Sequence, residues 1–174
     1  MGEPSVNSYK NQRQYENIQI DKILPYYIQH LSIIPDRTQA CEVFDFTFYH
    51  KSNIFKVEEK FRKVDYGDFL IEIMQDIATC NHGWFYKTEA DYIFYIVDMK
   101  YLYSVKWNLF KSWFKDNFQT CDYKITVSNI GFGSSINMSI RWKKIPDILY
   151  TKKDILFGEI YNYGKLGTQT KLEL

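Results

Sequence analysis

Lys56-Val57-Glu58-Glu59-Lys60-Phe61-Arg62 reads as a β-strand with two unlike faces. Side chains alternate across a strand, so Val57, Glu59 and Phe61 point one way and Lys56, Glu58, Lys60 and Arg62 the other. Glu58 and Lys60 therefore stand side by side. Upstream, Val43-Phe44-Asp45-Phe46-Thr47-Phe48-Tyr49 is an apolar run whose single charged residue is Asp45. A hairpin across Lys51-Ser52-Asn53 sets Asp45 opposite the Glu58/Lys60 pair. Two carboxylates and an amine so arranged suit metal-assisted hydrolysis of a phosphodiester. A hard divalent cation prefers carboxylate oxygens and keeps several waters. It polarises a phosphoryl oxygen and acidifies a bound water, while an ammonium orients that water and holds developing negative charge. The plainer reading is a solvated hairpin face on which Lys60 is a cross-strand ion-pair partner.

The flanking sequence supplies the rest of the fold. Tyr15, Ile18, Ile23, Tyr26, Tyr27 and Leu31 approximate a helical stripe from Gln12 to about Ser32, with a break or kink expected near Leu24 because Pro25 follows. Residues 1–11 are polar and expected to fray. Strands are expected at 41–49, 54–62 and 70–74, the last with a helical alternative around Ile73 to Ile77. Asn81-His82-Gly83 reads as a turn and 85–90 as a short helix. Tyr92 to Val97, continuous, aromatic and β-branched, is the clearest buried strand, with 101–103 as its partner. Trp107, Phe110, Trp113, Phe114 and Phe118 repeat at helical steps over 106–118. Short strands fit 124–127 and 137–140, around a Gly131-to-Ser135 loop, and a short helix fits 146–150. The tail from Gly158 has no clear pattern. The order is helix, three strands, helix, two strands, helix: a mixed β-sheet between helices.

Composition narrows the function. The 174 residues suffice for one domain with a real core. An aromatic content of 18% argues against disorder. A net charge of +1 excludes a globally basic nucleic-acid binder, so any such contact needs local clusters. Three scattered cysteines do not make a disulfide framework and suit a reduced, cytoplasmic setting. The N-terminus lacks a signal-peptide layout and no apolar run is long enough to span a membrane.

An acid, a spacer, then acid-x-Lys on the next strand resembles the PD-(D/E)xK nuclease superfamily, whose fold is restriction-endonuclease-like. The leading proline is absent, since Phe44 precedes Asp45. The string Glu59-Lys60-Phe61-Arg62, Asp65-Tyr66-Gly67-Asp68-Phe69-Leu70-Ile71-Glu72, Gly83-Trp84 and Ala90-Asp91-Tyr92-Ile93 is similar to small phage and prophage nuclease-like proteins. The resemblance covers about residues 12–118 and leaves 119–174 as a C-terminal extension of a single domain. It implies an α/β protein with an αβββαβ core and a deoxyribonuclease dependent on Mg2+ or Mn2+. Asp45 and Glu58 bind the metal, with the backbone carbonyl of Glu59, and Lys60 positions water. It also implies a prokaryotic or phage-infected host and a homodimer.

Other residues have two readings each. Arg62 can hold a phosphate by two hydrogen bonds or pair with Asp65 or Asp68. Lys56 and Lys63, with Lys51, add positive charge near the hairpin for DNA, and Arg141, Lys143, Lys144, Lys152 and Lys153 form a second cluster around Trp142; either set also serves as solubilising charge. Additional acids for the metal are Glu16 and Asp21 on the first helix, against a solvated helix face, and Glu72, against a structural pairing with Arg62. Asp36 follows a proline but precedes the strand. Cys80 and His82 alone cannot make a zinc site. The competing function is a nuclease fold without activity: a phage-encoded inhibitor of a host defence complex, binding a host or phage protein, or a nucleic-acid-binding adaptor. A DNA mimic would be strongly acidic, which +1 opposes.

Overall fold

The computed structural model describes residues 6–129 and 133–155. Among the described residues the chain is mixed α/β, with two sheets and three α-helices. The elements run α1 (Val6–His30), β1 (Phe46–His50), β2 (Asn53–Arg62), β3 (Asp68–Asp76), β4 (Asn81–His82), α2 (Trp84–Lys87), β5 (Tyr92–Val97), β6 (Tyr101–Lys106), α3 (Trp107–Asn117), β7 (Tyr123–Asn129), β8 (Ser134–Arg141) and β9 (Tyr150–Asp154). The first sheet has the order β1-β2-β5-β6-β9 and the second β4-β3-β8-β7.

The apolar run Tyr92 to Val97 is the centre of the first sheet. It pairs in parallel with β2 and antiparallel with β6. Both faces of β5 are buried, and each feeds a different core. Ile93, Tyr95 and Val97 join Phe69 and Ile71 of β3, Met138 and Ile140 of β8, and Trp107, Phe110 and Phe114 of α3. Phe94 and Ile96 join Ile23, Tyr26, Tyr27 and Leu31 of α1 with Phe46, Phe48 and Val57. Helix α1 thus covers one face of the first sheet, and the second sheet with α3 covers the other. The hairpin β1–β2 closes through Lys51 and Ser52 at φ of 46° and 70°. Two successive positive φ values are what a two-residue hairpin loop needs to match strand twist.

Several expectations change. Of the break or kink expected near Leu24, the break does not occur: helix α1 runs on through Pro25. A proline inside a helix costs about 3 kcal/mol, but Ile23, Tyr26, Tyr27 and Leu31 are all buried, and each such burial contributes about 1.5–3 kcal/mol. The helix also begins at Val6, inside the segment expected to fray; residues 1–5 and the tail from 156 lie outside the described residues. Residues 41–45 are not strand: Cys41 bridges Phe44 and the strand starts at Phe46. Asn81-His82 pairs with β3 where a turn is expected. Strand β9, with its polar sequence, was not anticipated. The largest change concerns β3. It does not continue the first sheet; it pairs with β8 and β4 in the second. The expected order of strands in one mixed sheet is therefore replaced by two sheets face to face. No helix among the described residues is long and apolar enough to cross a membrane.

Candidate hydrolytic site

Strand β2 keeps the expected alternation. Val57 and Glu59 turn to the α1 side; Glu58 and Lys60 turn to the space between the sheets. The Lys60 ammonium contacts Glu58 Oε1 in an ion pair. The Glu58 side chain is 8% exposed and that of Lys60 29%, so the acid is the more desolvated partner. Burial pushes the Glu58 carboxyl up; Lys60 draws it down and Asp45 pushes it up, leaving it above the ordinary range. Burial pulls Lys60 down, but Glu58, Asp45 and Glu16 outweigh it, so the amine is held above its usual value and stays charged. The Lys60 Nζ also lies 5.4 Å from the centroid of the Trp84 ring, a cation–π contact.

Asp45 lies where β1 gives way to the preceding turn. Its N–H donates to the Val57 carbonyl at 2.8 Å, although Phe46 is the registered partner of Val57. Two residues thus face one, the arrangement of a β-bulge. Beyond this point β1 no longer flanks β2, and the Glu59 N–H needs another acceptor. Asp45 Oδ2 takes it at 2.6 Å. One carboxylate oxygen is thereby committed to the backbone. From this position Asp45 acts on Glu58 and Lys60 on one face, and on Glu59 and Arg37 on the other. Asp45, at the strand edge, is near enough to act electrostatically on the Glu58–Lys60 pair.

The remaining acids separate. Glu16 is partly buried on α1 and contributes to the field at Lys60. Asp21, on the same helix, is exposed. Glu72 on β3 is held by the Trp84 N–H, feels the Lys60 charge, and is not paired with Arg62. Burial raises its carboxyl, opposed by the Trp84 N–H and by Lys60 and Lys87. The Glu59 side chain lies on the α1 face, so Glu59 meets the site directly only through its backbone. Asp36 accepts from Thr38 N and Oγ1 at 2.9 and 2.7 Å, closing a local turn.

Among the basic residues, Arg62 makes an ion pair with Asp68, donates to the Tyr95 hydroxyl at 3.0 Å and lies 4.7 Å from the Tyr66 ring centroid. Binding a phosphate would require Asp68 to yield. Lys56 is 3.4 Å from Glu89 and sits over Phe44; Lys63 sits over Tyr15 at 4.4 Å. In the second cluster Trp142 is buried and stacked on Tyr103 at 4.0 Å, so it cannot offer a base a free face. Cys41, Cys80 and Cys121 are free thiols.

Sequence reasoning missed Trp84, Arg37 and Tyr27 as neighbours of the site. The available signal was Glu59, which alternates with Val57 and Phe61 on the apolar face. A buried carboxylate demands a partner, and Arg37 and Tyr27 provide it.

Asp45 and Glu58, with the Glu59 carbonyl, are hard oxygen donors. Among the described residues no three Asp, Glu, His or Cys side chains group into a metal cage. Two carboxylates suit magnesium or manganese, which bind through one or two carboxylates and retain water, better than calcium or zinc. No protein-family model, no curated protein and no solved structure matches the chain.

Proposed function

We propose that the protein is a nuclease that hydrolyses DNA phosphodiester bonds with Mg2+ or Mn2+, on a restriction-endonuclease-like core. The observation that carries this reading is the Glu58–Lys60 ion pair on β2 with the Asp45 carboxylate held beside it by the Glu59 N–H. The core assignment is supported by a hairpin bearing the acids next to a strand, β5, that runs parallel to β2.

Asp45 and Glu58 would hold the cation, and the Glu59 carbonyl could supply a further oxygen. The bound ion supplies Lewis-acid polarisation of the phosphoryl group and a more acidic water. Lys60 remains an ammonium, so it donates hydrogen bonds and does not accept a proton. It holds the attacking water and stabilises the negative charge that builds on the phosphoryl oxygens. The Trp84 ring covers the ammonium on one side, and Glu72 adds to the field there.

The test is cleavage of plasmid and oligonucleotide DNA by purified protein with magnesium or manganese, compared with Asp45→Ala and Lys60→Ala. Activity in the parent and its loss in both variants is the expected result. Activity that survives both substitutions removes the assignment. So does manganese-soaked protein with no ion at Asp45 and Glu58; the outcome would favour a binding protein.

A further inference from the structure

Behind β2, on the face turned away from Lys60, lies a buried polar cluster that hydrolysis does not use. Glu59 is 5% exposed. The Tyr27 hydroxyl donates to its Oε1 at 2.8 Å. Arg37 Nη1 lies 2.7 Å from its Oε2 in an ion pair, while Arg37 Nη2 is buried without a hydrogen-bond partner. Burial raises the Glu59 carboxyl, and Arg37 opposes that rise. The Arg37 guanidinium also sits 5.0 Å from the Phe46 ring centroid. A buried and imperfectly satisfied pair of this kind gives little stability relative to an apolar replacement, so its presence calls for another account.

The geometry supplies one. Glu59 donates its N–H to Asp45 Oδ2. Its side chain is tethered to Tyr27 on α1 and to Arg37, which follows Asp36. Asp36 exchanges backbone hydrogen bonds with Thr47 of β1, at 2.7 and 2.9 Å. Helix, loop and both strands of the hairpin therefore meet at the amide that orients Asp45.

We propose that Glu59, held by Arg37 and Tyr27, is a positioning residue that fixes the Asp45 carboxylate relative to Glu58. Its consequence for metal affinity rests on the function proposed above; its hold on Asp45 does not. The test uses Arg37→Met, Arg37→Lys and the double variant Arg37→Met/Glu59→Met in the full chain. Three quantities are read: exchange of the Glu59 amide relative to that of Ile96 on β5 by NMR, manganese affinity by electron paramagnetic resonance, and kcat and KM for DNA cleavage. In Arg37→Met the Glu59 amide exchanges roughly tenfold faster relative to Ile96, and manganese affinity falls roughly 10- to 100-fold, as for other residues that orient metal ligands. KM for DNA is unchanged, and Arg37→Lys recovers part of both losses. The double variant regains thermal stability but not manganese affinity.

Wild-type exchange of the Glu59 amide in Arg37→Met overturns the proposal whatever the metal does. A double variant that regains manganese affinity along with stability also overturns it, because the cluster is then structural. Wild-type protein that neither binds manganese nor cuts DNA removes the nuclease reading and the metal consequence; amide exchange still decides whether Glu59 fixes Asp45.

Discussion

Replacing Lys60 by methionine keeps the aliphatic stem and removes the charge that faces Glu58. Removing one partner of a buried ion pair costs about 3–5 kcal/mol. Here the Lys60 side chain is 29% exposed and that of Glu58 8%, so solvent screens part of the pair, and about 1–3 kcal/mol is expected at pH 7. For a chain of this size each kcal/mol moves Tm by about 2–4 °C, giving a fall of roughly 2–12 °C. The pH dependence is more diagnostic. Burial already raises Glu58, and without Lys60 the principal downward pull disappears. The folded variant then binds a proton that the unfolded chain, titrating near about 4.3, has released. Stability of the variant therefore falls as pH rises through that window. Below it Glu58 is neutral in both states and the gap from wild type closes. Thermal melts of wild type, Lys60→Met and Glu58→Gln/Lys60→Met from pH 4 to pH 8 measure this. The gap should be small at pH 4 and full at pH 7, and the double variant should recover most of it. A gap of equal size at both ends, or a double variant as unstable as the single, refutes the reasoning.

Three further outcomes follow from the geometry. A Cβ on Gly83 would lie 2.2 Å from the Glu72 carbonyl oxygen, so Gly83→Ala should cost about 2–4 kcal/mol in chemical denaturation, because backbone and not a flexible side chain is in the way. Trp142→Ala removes a buried ring stacked on Tyr103 and on Phe69 and should cost about 3–5 kcal/mol by the same assay. Chelation with EDTA should abolish DNA cleavage, and excess magnesium or manganese should restore it within one incubation; cleavage that persists in EDTA counts against the proposed chemistry.

What could be read in advance was whatever depends on near neighbours in sequence. The alternation of β2 was legible because successive side chains must take opposite faces, and Tyr92 to Val97 because both of its faces are buried. The stripe of α3 places Trp107, Phe110 and Phe114 in the core, although Phe118 ends 41% exposed. The position of β3 was not legible. Its buried Phe69 and Ile71 alternate with partly buried Leu70 and Glu72, a pattern that fits a strand in either sheet, and only pairing with β8 decides between them. Strand β9 was hidden because Tyr150 to Asp154 is a polar edge with little apolar rhythm. At the site, Asp45, Glu58 and Lys60 were legible because one hairpin joins them. Arg37, Tyr27 and Trp84 were not, because tertiary packing alone brings them to β2.

The tight Lys51–Ser52 loop has a consequence for assembly of the molecule. Contacts between residues close in sequence form early in folding, and distant pairings later. The two acids belong to a hairpin and can meet as soon as it zips. Trp84 and Glu72 reach Lys60 only after the second sheet has formed and docked. The carboxylates would then be in place before the ammonium's enclosure, and a variant that slows docking of β3 on β5 should pass through a state with the acid pair gathered and its lysine still open to water.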